Sequence, residues 1–235
     1  MIPRVVIDSA SVPGGGEMRL IRRGDEFSIT LGGNELMNSR LSGSEEALAS
    51  MTCARIAGRP APRILIGGLG MGFTLRAALA DLPRDGEVVV AELVPAVVAW
   101  ARGPMAELFA GSLDDPRVRI EVGDVGRVIQ AGRASYDAIL LDVDNGPDGL
   151  TTPSNDALYG PAGLAAAFGA LRPGGVLSVW SSGPDRGFTA RLRNSGFETE
   201  DVTVRAGGRR GGARHVIWLA TRPGWDHARG SPRKK

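Results

Sequence analysis

The 235-residue sequence holds one cysteine, two histidines and few aromatics, 5% of the chain. A single thiol, Cys53, excludes an internal disulfide and fits a reducing compartment. It falls in an expected helix from Glu45 to Ile56, where a buried thiol is a simpler reading than a nucleophile. His215 and His227 stand late in the chain, apart from any cluster of acids. His215 is expected to be structural, and no metal site is expected. No apolar run approaches about 18 residues, so no transmembrane helix is expected. No signal-peptide pattern is visible, and the expected location is the cytoplasm. A one-sided charge is also missing, since the net charge is +2. The basic excess gathers at Arg209, Arg210 and Arg214 and in the tail Arg229 to Lys235. Without the tail the body is nearly neutral, which excludes a nucleic-acid footprint. The 34 glycines cluster at turns instead of repeating, so collagen-like and low-complexity readings fail. With 43% hydrophobic and 23% charged residues, the composition suits one α/β domain with a small addition and a sizeable core.

What is present is a glycine elbow. Ile64, Leu65 and Ile66 form an apolar, β-branched run, the mark of a strand buried on both faces. Gly67, Gly68, Gly70 and Gly72 follow, and Thr74 to Ala80 reads as an Ala- and Leu-rich helix. Such glycines accept positive φ and let a ligand lie against the backbone. The helix start adds unpaired N–H groups and partial positive charge. A tight turn with no ligand is the plainer account. Against it stands Glu92, at the tip of a second buried strand, Val88 to Leu93, about 20 residues on. An acid there is placed to grip ribose hydroxyls.

The dinucleotide fingerprint G-x-G-x-x-G does not fit. The spacing is Gly68-x-Gly70-x-Gly72, with Phe73 where the third glycine would fall. This resembles the first motif of class I S-adenosylmethionine-dependent transferases. Val118-Arg-Ile-Glu-Val-Gly-Asp124 resembles their third strand, ending in an acid near the adenine amino group. Leu171-Arg-Pro-Gly-Gly175 before Val176 to Trp180 resembles their helix–turn–strand signature. An NAD-dependent oxidoreductase is disfavoured by the spacing and by the lack of a hydride-site His or Tyr.

Taken in order, residues 1–43 alternate as strands at Val5–Ile7, Met18–Ile21 and Phe27–Leu31, a small antiparallel sheet. It is expected to be an edge cap, a wall of the active site or a dimer surface. Ser44-Glu45-Glu46 opens a helix with Ser42 or Ser44 as N-cap. Residues 44–221 then alternate strand and helix. Helices are expected at 73–81, 95–102, 125–131, 161–171 and 186–195. Strands are expected at 87–92, 117–122, 136–142 and 176–180, and a late antiparallel pair at 197–205 and 214–221. The expectation is an α/β fold, class I methyltransferase-like (Rossmann-like), with a mostly parallel seven-stranded sheet and a small N-terminal β-rich section. Residues 222–235 read as a basic, disordered tail.

Ligands in such sheets lie beyond the carboxyl ends of the strands. Delivered there are the glycine elbow, Glu92, Asp124 and Asp142. Asp142 opens the loop Asp142-Val-Asp-Asn-Gly-Pro-Asp-Gly149, with further acids Asp144 and Asp148. Turn formation explains Asp148 well enough, whereas Asp142 is aimed into the cleft.

Residues from about 27 to 181 resemble the spermidine/spermine synthases, the polyamine aminopropyltransferases. The matching pieces are Ile66-Gly-Gly-Leu-Gly-Met-Gly72 with Thr74-Leu-Arg76, Ala91-Glu92, Asp115-Pro-Arg-Val118, Gly123-Asp124, and Tyr136-Asp137 with Asp142. The resemblance implies that Glu92 holds the ribose and Asp124 the adenine, with Leu93, Gly123 and Val125 beside them. It implies that Asp142 neighbours the attacking amine, that Asp144, Asn145 and Glu46 face the substrate, and that the protein is a homodimer. The departures are on the polyamine side. Gly70 replaces an aspartate that holds the diamine. Ser44-Glu45-Glu46 replaces a Tyr–His/Gln–Glu stretch, so only Glu46 matches. Asp142-Val-Asp-Asn-Gly-Pro147 replaces an Asp-Ser-Thr/Ser-Asp-Pro loop. One lost charge-assisted contact costs about 1.5–3 kcal/mol.

The expected function is transfer from S-adenosylmethionine, or its decarboxylated form, to a small-molecule nucleophile, with Asp142 or Asp144 orienting that nucleophile. Methyl transfer leads, because the diamine-binding groups are lost. Aminopropyl transfer is the alternative, and a non-catalytic nucleoside-binding protein is the alternative of another class. No nucleic-acid or membrane partner is expected.

Overall fold

The computed structural model describes residues 2–143, 147 and 157–224. The first sheet is antiparallel, with strands in chain order: β1 (Val5–Ser11), β2 (Glu17–Arg23), β3 (Glu26–Leu31) and β4 (Asn34–Asn38). Met18, Leu20, Phe27 and Ile29 are buried at period two, which fixes the inner face. The sequence reading missed β4. Its two apolar residues, Leu36 and Met37, are adjacent instead of alternating, so no strand period shows.

The second sheet has seven strands: β5 (Arg63–Gly67), β6 (Glu87–Glu92), β7 (Val118–Val122), β8 (Tyr136–Leu141), β9 (Leu171–Ser181), β10 (Glu198–Arg205) and β11 (Arg214–Thr221). Their order is β10-β11-β9-β8-β5-β6-β7. Strands β5 to β9 pair in parallel, while β11 runs against both β9 and β10. The expected fold class therefore holds. The helices are α1 (Gly43–Arg55), α2 (Phe73–Asp81), α3 (Pro95–Arg102), α4 (Ala106–Phe109), α5 (Val125–Ala131), α6 (Pro161–Ala170) and α7 (Arg186–Asn194). Among the described residues no helix is long and apolar enough to cross a membrane.

The apolar strand runs are continuous because both faces are covered. Ile64, Ile66, Val88 and Val90 join the core that also holds Leu20 and Ile29 of the first sheet and Leu48 of α1. Leu65, Val89, Ile139 and Leu177 join the opposite core, with Ile129, Leu164 and Leu192 from α5, α6 and α7. From β5 the chain builds outward through β6 and β7, then returns to the other side of β5 as β8. That reversal puts a crevice beyond the ends of β5 and β8.

Three local expectations change. Neither serine hydroxyl caps α1: the Glu46 amide donates to the Ser42 carbonyl at 2.9 Å, and the Ser44 hydroxyl donates to Glu45 Oε2 at 2.6 Å. Strand β9 begins at Leu171, five residues early, because its pairing with β8 is broken by an irregularity that absorbs Pro173-Gly-Gly175. Order also extends past Thr221. The Arg222 amide donates to Gly175 O at 2.8 Å, and its guanidinium donates to Phe168 O and Leu171 O at 2.8 and 2.5 Å. Residues 225–235 lie outside the described residues, as does His227. Cys53 is buried, and that burial pushes its thiol up to about 12, far from nucleophilic range.

Candidate functional site

Four parallel strands end around one cleft of about 190 Å³. The elbow after β5 forms its floor. Gly68 and Gly70 line the cleft with φ of +91° and +50°. The Gly68 amide donates to Ala91 O at 2.9 Å, and the Asp142 amide donates to Gly67 O at 3.0 Å, so the elbow is stitched to the tips of β6 and β8. A Cβ on Gly68 would stand 2.5 Å from the Asp142 carbonyl oxygen. Gly68→Ala is therefore expected to lose about 1–3 kcal/mol of stability through backbone strain, read as a lower melting temperature.

Gly67 and Gly72 do not line the cleft. A Cβ at Gly67 would press on Val125 and Leu141, and one at Gly72 would enter the Phe109 ring at 2.5 Å. Packing accounts for glycine at Gly67, and packing together with a φ of +76° for glycine at Gly72. At Gly70 the missing side chain makes room for Met37 of β4, whose Cε and Sδ lie 2.8 and 2.9 Å from an ideal Cβ.

Glu92 ends β6 and is 7% exposed. Its carboxylate accepts the Leu69 amide from the elbow and the Val94 amide, each at 2.8 Å. Burial raises its pKa, and the backbone amides pull it back down. The Gly70 and Leu93 amides bear on the same carboxylate. Asp124 caps α5 through one oxygen, which accepts from the Gly126 amide at 2.6 Å. The same residue lines the cleft, with Leu93, Gly123 and Val125 beside it.

Asp142 follows β8 and accepts from the Thr74 hydroxyl at 2.6 Å. Burial pushes its carboxyl up to about 7, and the nearby charge of Glu45 adds to the rise. Glu45 itself is raised mainly by burial. Glu46, the matched residue of the resemblance, is exposed and outside the cleft lining, whereas Glu45 lines it. The signal was present in the sequence. Glu45, Leu48, Ala49 and Thr52 follow the i, i+3, i+4, i+7 spacing of one helix face, and the last three are buried. Asp144, Asn145 and Asp148 lie outside the described residues.

The first sheet forms a wall, through Met18, Ile29, Leu31, Leu36 and Met37, and Trp180 of β9 closes another side. Of the three expectations for that sheet, edge cap, wall of the site or dimer surface, the lining residues fit a wall. The charged residues lining the cleft are Glu45, Glu92, Asp124 and Asp142; no Lys, Arg or His lines it among the described residues.

No protein-family model matches the chain. It is 31% identical over 171 residues to a polyamine aminopropyltransferase of Mycobacterium tuberculosis, covering 72% of this chain and 31% of that protein. It is 37% identical over 124 residues to putrescine N-methyltransferase 4 of Nicotiana tabacum, covering 50% of this chain and 30% of that one. Its fold matches a spermidine synthase solved with the transition state analogue AdoDATO, at a TM-score of 0.75 and 21% identity, over 92% of this chain and 73% of the other. The chain thus spans about a third of the length of the curated relatives it matches, 31% and 30%.

Proposed function

Because the chain belongs to the spermidine synthase and polyamine aminopropyltransferase family, we propose that it is a transferase that moves an aminopropyl group from decarboxylated S-adenosylmethionine to a small amine. One observation carries the choice of donor: among the described residues, every charged side chain lining the cleft is an acid. The intact donor brings a carboxylate into that field with no side-chain cation to meet it. One like-charge contact at about 4 Å costs about 4 kcal/mol at an effective dielectric of 20, close to a thousandfold in affinity. The decarboxylated donor brings only positive charge. This reading departs from the methyl transfer expected on sequence grounds.

The residues fit such a molecule. Gly68 and Gly70 let it approach the backbone, and Glu92 accepts from the ribose hydroxyls. The second oxygen of Asp124 serves the adenine amino group, between Leu93 and Val125. When bound, the sulfonium donor supplies an electrophilic carbon and a neutral thioether leaving group. Asp142 and Glu45 hold the acceptor amine, and Asp142 takes the proton it sheds. Glu45 supplies from α1 a negative charge of the kind missing at Gly70. Methyl transfer is the second reading, favoured by that missing acid and by the similarity to a putrescine N-methyltransferase.

Calorimetry with the two donors is expected to show the decarboxylated one bound at least about 100-fold more tightly, and mass spectrometry to show an aminopropylated amine. The opposite preference with a methylated product selects the second reading. Tight binding with no transfer to a broad panel of amines indicates a non-catalytic binder. No binding of either donor ends the proposal.

A further inference from the structure

His215 has no part in the reading above, yet it is tied to the cleft. It sits on β11, opposite Val204 of β10. Its ring packs edge-on against Trp180, with centroids 4.7 Å apart, and Trp180 lines the cleft. Its Nδ1 lies 3.0 Å from Ser44 Oγ. Ser44 is fully buried in the first turn of α1, and its hydroxyl lies 2.6 Å from Glu45 Oε2. The start of α1 is itself clamped to the β10–β11 hairpin. The Gly43 amide donates to Ala206 O at 2.8 Å, and a Cβ on Gly43 would overlap Gly208 N at 2.2 Å.

We propose that His215 is a positioning residue: its Nδ1–H donates to Ser44 Oγ, whose own proton goes to Glu45 Oε2, so the C-terminal hairpin fixes the Glu45 carboxylate at the mouth of the reaction cleft. A serine hydroxyl has one proton to give. Once that proton faces a carboxylate, the contact to His215 holds only if the ring brings a hydrogen. This selects the Nδ1–H tautomer. Burial lowers the pKa of His215, so the ring is neutral and the tautomer matters. Burial and the charge of Glu46 on its own helix disfavour the charge of Glu45, and Asp142 at the end of β8 repels it. The Ser44 hydroxyl and the residue's own amide oppose them, and His215 on β11 bears on Glu45 through Ser44. The arrangement explains why a late antiparallel pair, remote in sequence, is packed against the start of α1.

The chain of hydrogen bonds stands on geometry; its effect on turnover rests on the aminopropyl-transfer reading. Nitrogen NMR of the ligand-free protein at neutral pH is expected to show His215 protonated at Nδ1, and Ser44→Ala to release it to the Nε2–H form. Carboxyl-carbon NMR is expected to show the Glu45 midpoint displaced upward in Ser44→Ala and in His215→Phe. His215→Asn, which can still donate, is expected to restore it. An Nε2–H ring in the unaltered protein, or a Glu45 midpoint that neither variant moves, overturns the proposal. In turnover, the acidic limb of kcat/KM is expected to move to higher pH in the same two variants, with about a tenfold loss below neutrality. A limb that stays in place while the NMR result holds overturns the positioning role. Absence of turnover with every amine instead counts against the aminopropyl-transfer reading, and the two NMR measurements still decide the chain.

Discussion

Replacing Asp142 by Asn is expected to lower kcat by about 10²- to 10⁴-fold, the usual worth of a positioned proton acceptor. The amide has nearly the same shape. Its oxygen still accepts from Thr74, which lies 2.6 Å from Asp142 Oδ2, so the cleft keeps its form. What disappears is a group able to take the amine's proton. The pH dependence gives an independent check. With the carboxyl raised to about 7, the ionised, competent form appears only as pH climbs through neutrality, and the rate is expected to rise with it. Stability runs the other way. The unfolded carboxyl titrates near about 3.9, so between there and about 7 the folded state binds the extra proton. The contribution of Asp142 to stability is present at low pH and lost as pH rises through that window. Asp142→Asn removes this decline, so above neutrality the variant is expected to melt higher than the unaltered protein while turning over far more slowly. Stopped-flow or steady-state kinetics and calorimetric melts over a pH series read both. A variant that melts lower at every pH would mean that Asp142 holds the fold instead of the reaction.

Asp137→Ala is expected to do the reverse: a loss of about 3 kcal/mol in folding stability, with no direct effect on the chemistry. Asp137 is 2% exposed, near the start of β8 and away from its site end. Its oxygens accept from Arg59 Nη1 at 2.7 Å, Arg172 Nη1 at 2.6 Å and the Arg63 amide at 2.9 Å. One carboxylate thus joins the segment before β5, the start of β5 and the start of β9. Removing it leaves the Arg63 N–H unpaired and takes the carboxylate from two guanidiniums, of which Arg59 keeps its bond to Pro173 O at 2.7 Å. The arginine side chains are 27% and 39% exposed and regain some water, which places the loss at the low end of the range for broken buried pairs. For a chain of this size the loss corresponds to a melting temperature about 6–12 °C lower. Urea unfolding measures it directly. A loss under about 1 kcal/mol would show that the arginines resolvate freely. Donor affinity of the folded variant is expected to stay as it was, which separates the two ends of the sheet.

The strand periods explain why so much of the architecture was legible. Ile64 to Ile66 and Val88 to Val90 are apolar at every position because both sheet faces are covered, and that pattern survives without any tertiary information. The glycine elbow, Glu92, Asp124 and Asp142 followed from position alone, since residues just after parallel strands gather at one edge. Strand β4 was hidden because its burial is decided by the wall it builds with the neighbouring sheet, not by alternation. Glu45 and Glu46 are neighbours in the chain, but about 100° apart around a helix; Glu45 shares the face of Leu48, Ala49 and Thr52, a spacing that the sequence carried and the reading passed over. Gly67 and Gly72 look like Gly68 and Gly70 in sequence; only the packed structure puts the second pair on the cleft. His215 and Ser44 are remote in the chain, and nothing local pairs them. Sequence by itself determined the order of elements and the acids at the strand tips, because these depend on local period and chain direction. Tertiary structure alone decided which glycines touch the cleft and that no cation lines it among the described residues, because those are properties of packed surfaces.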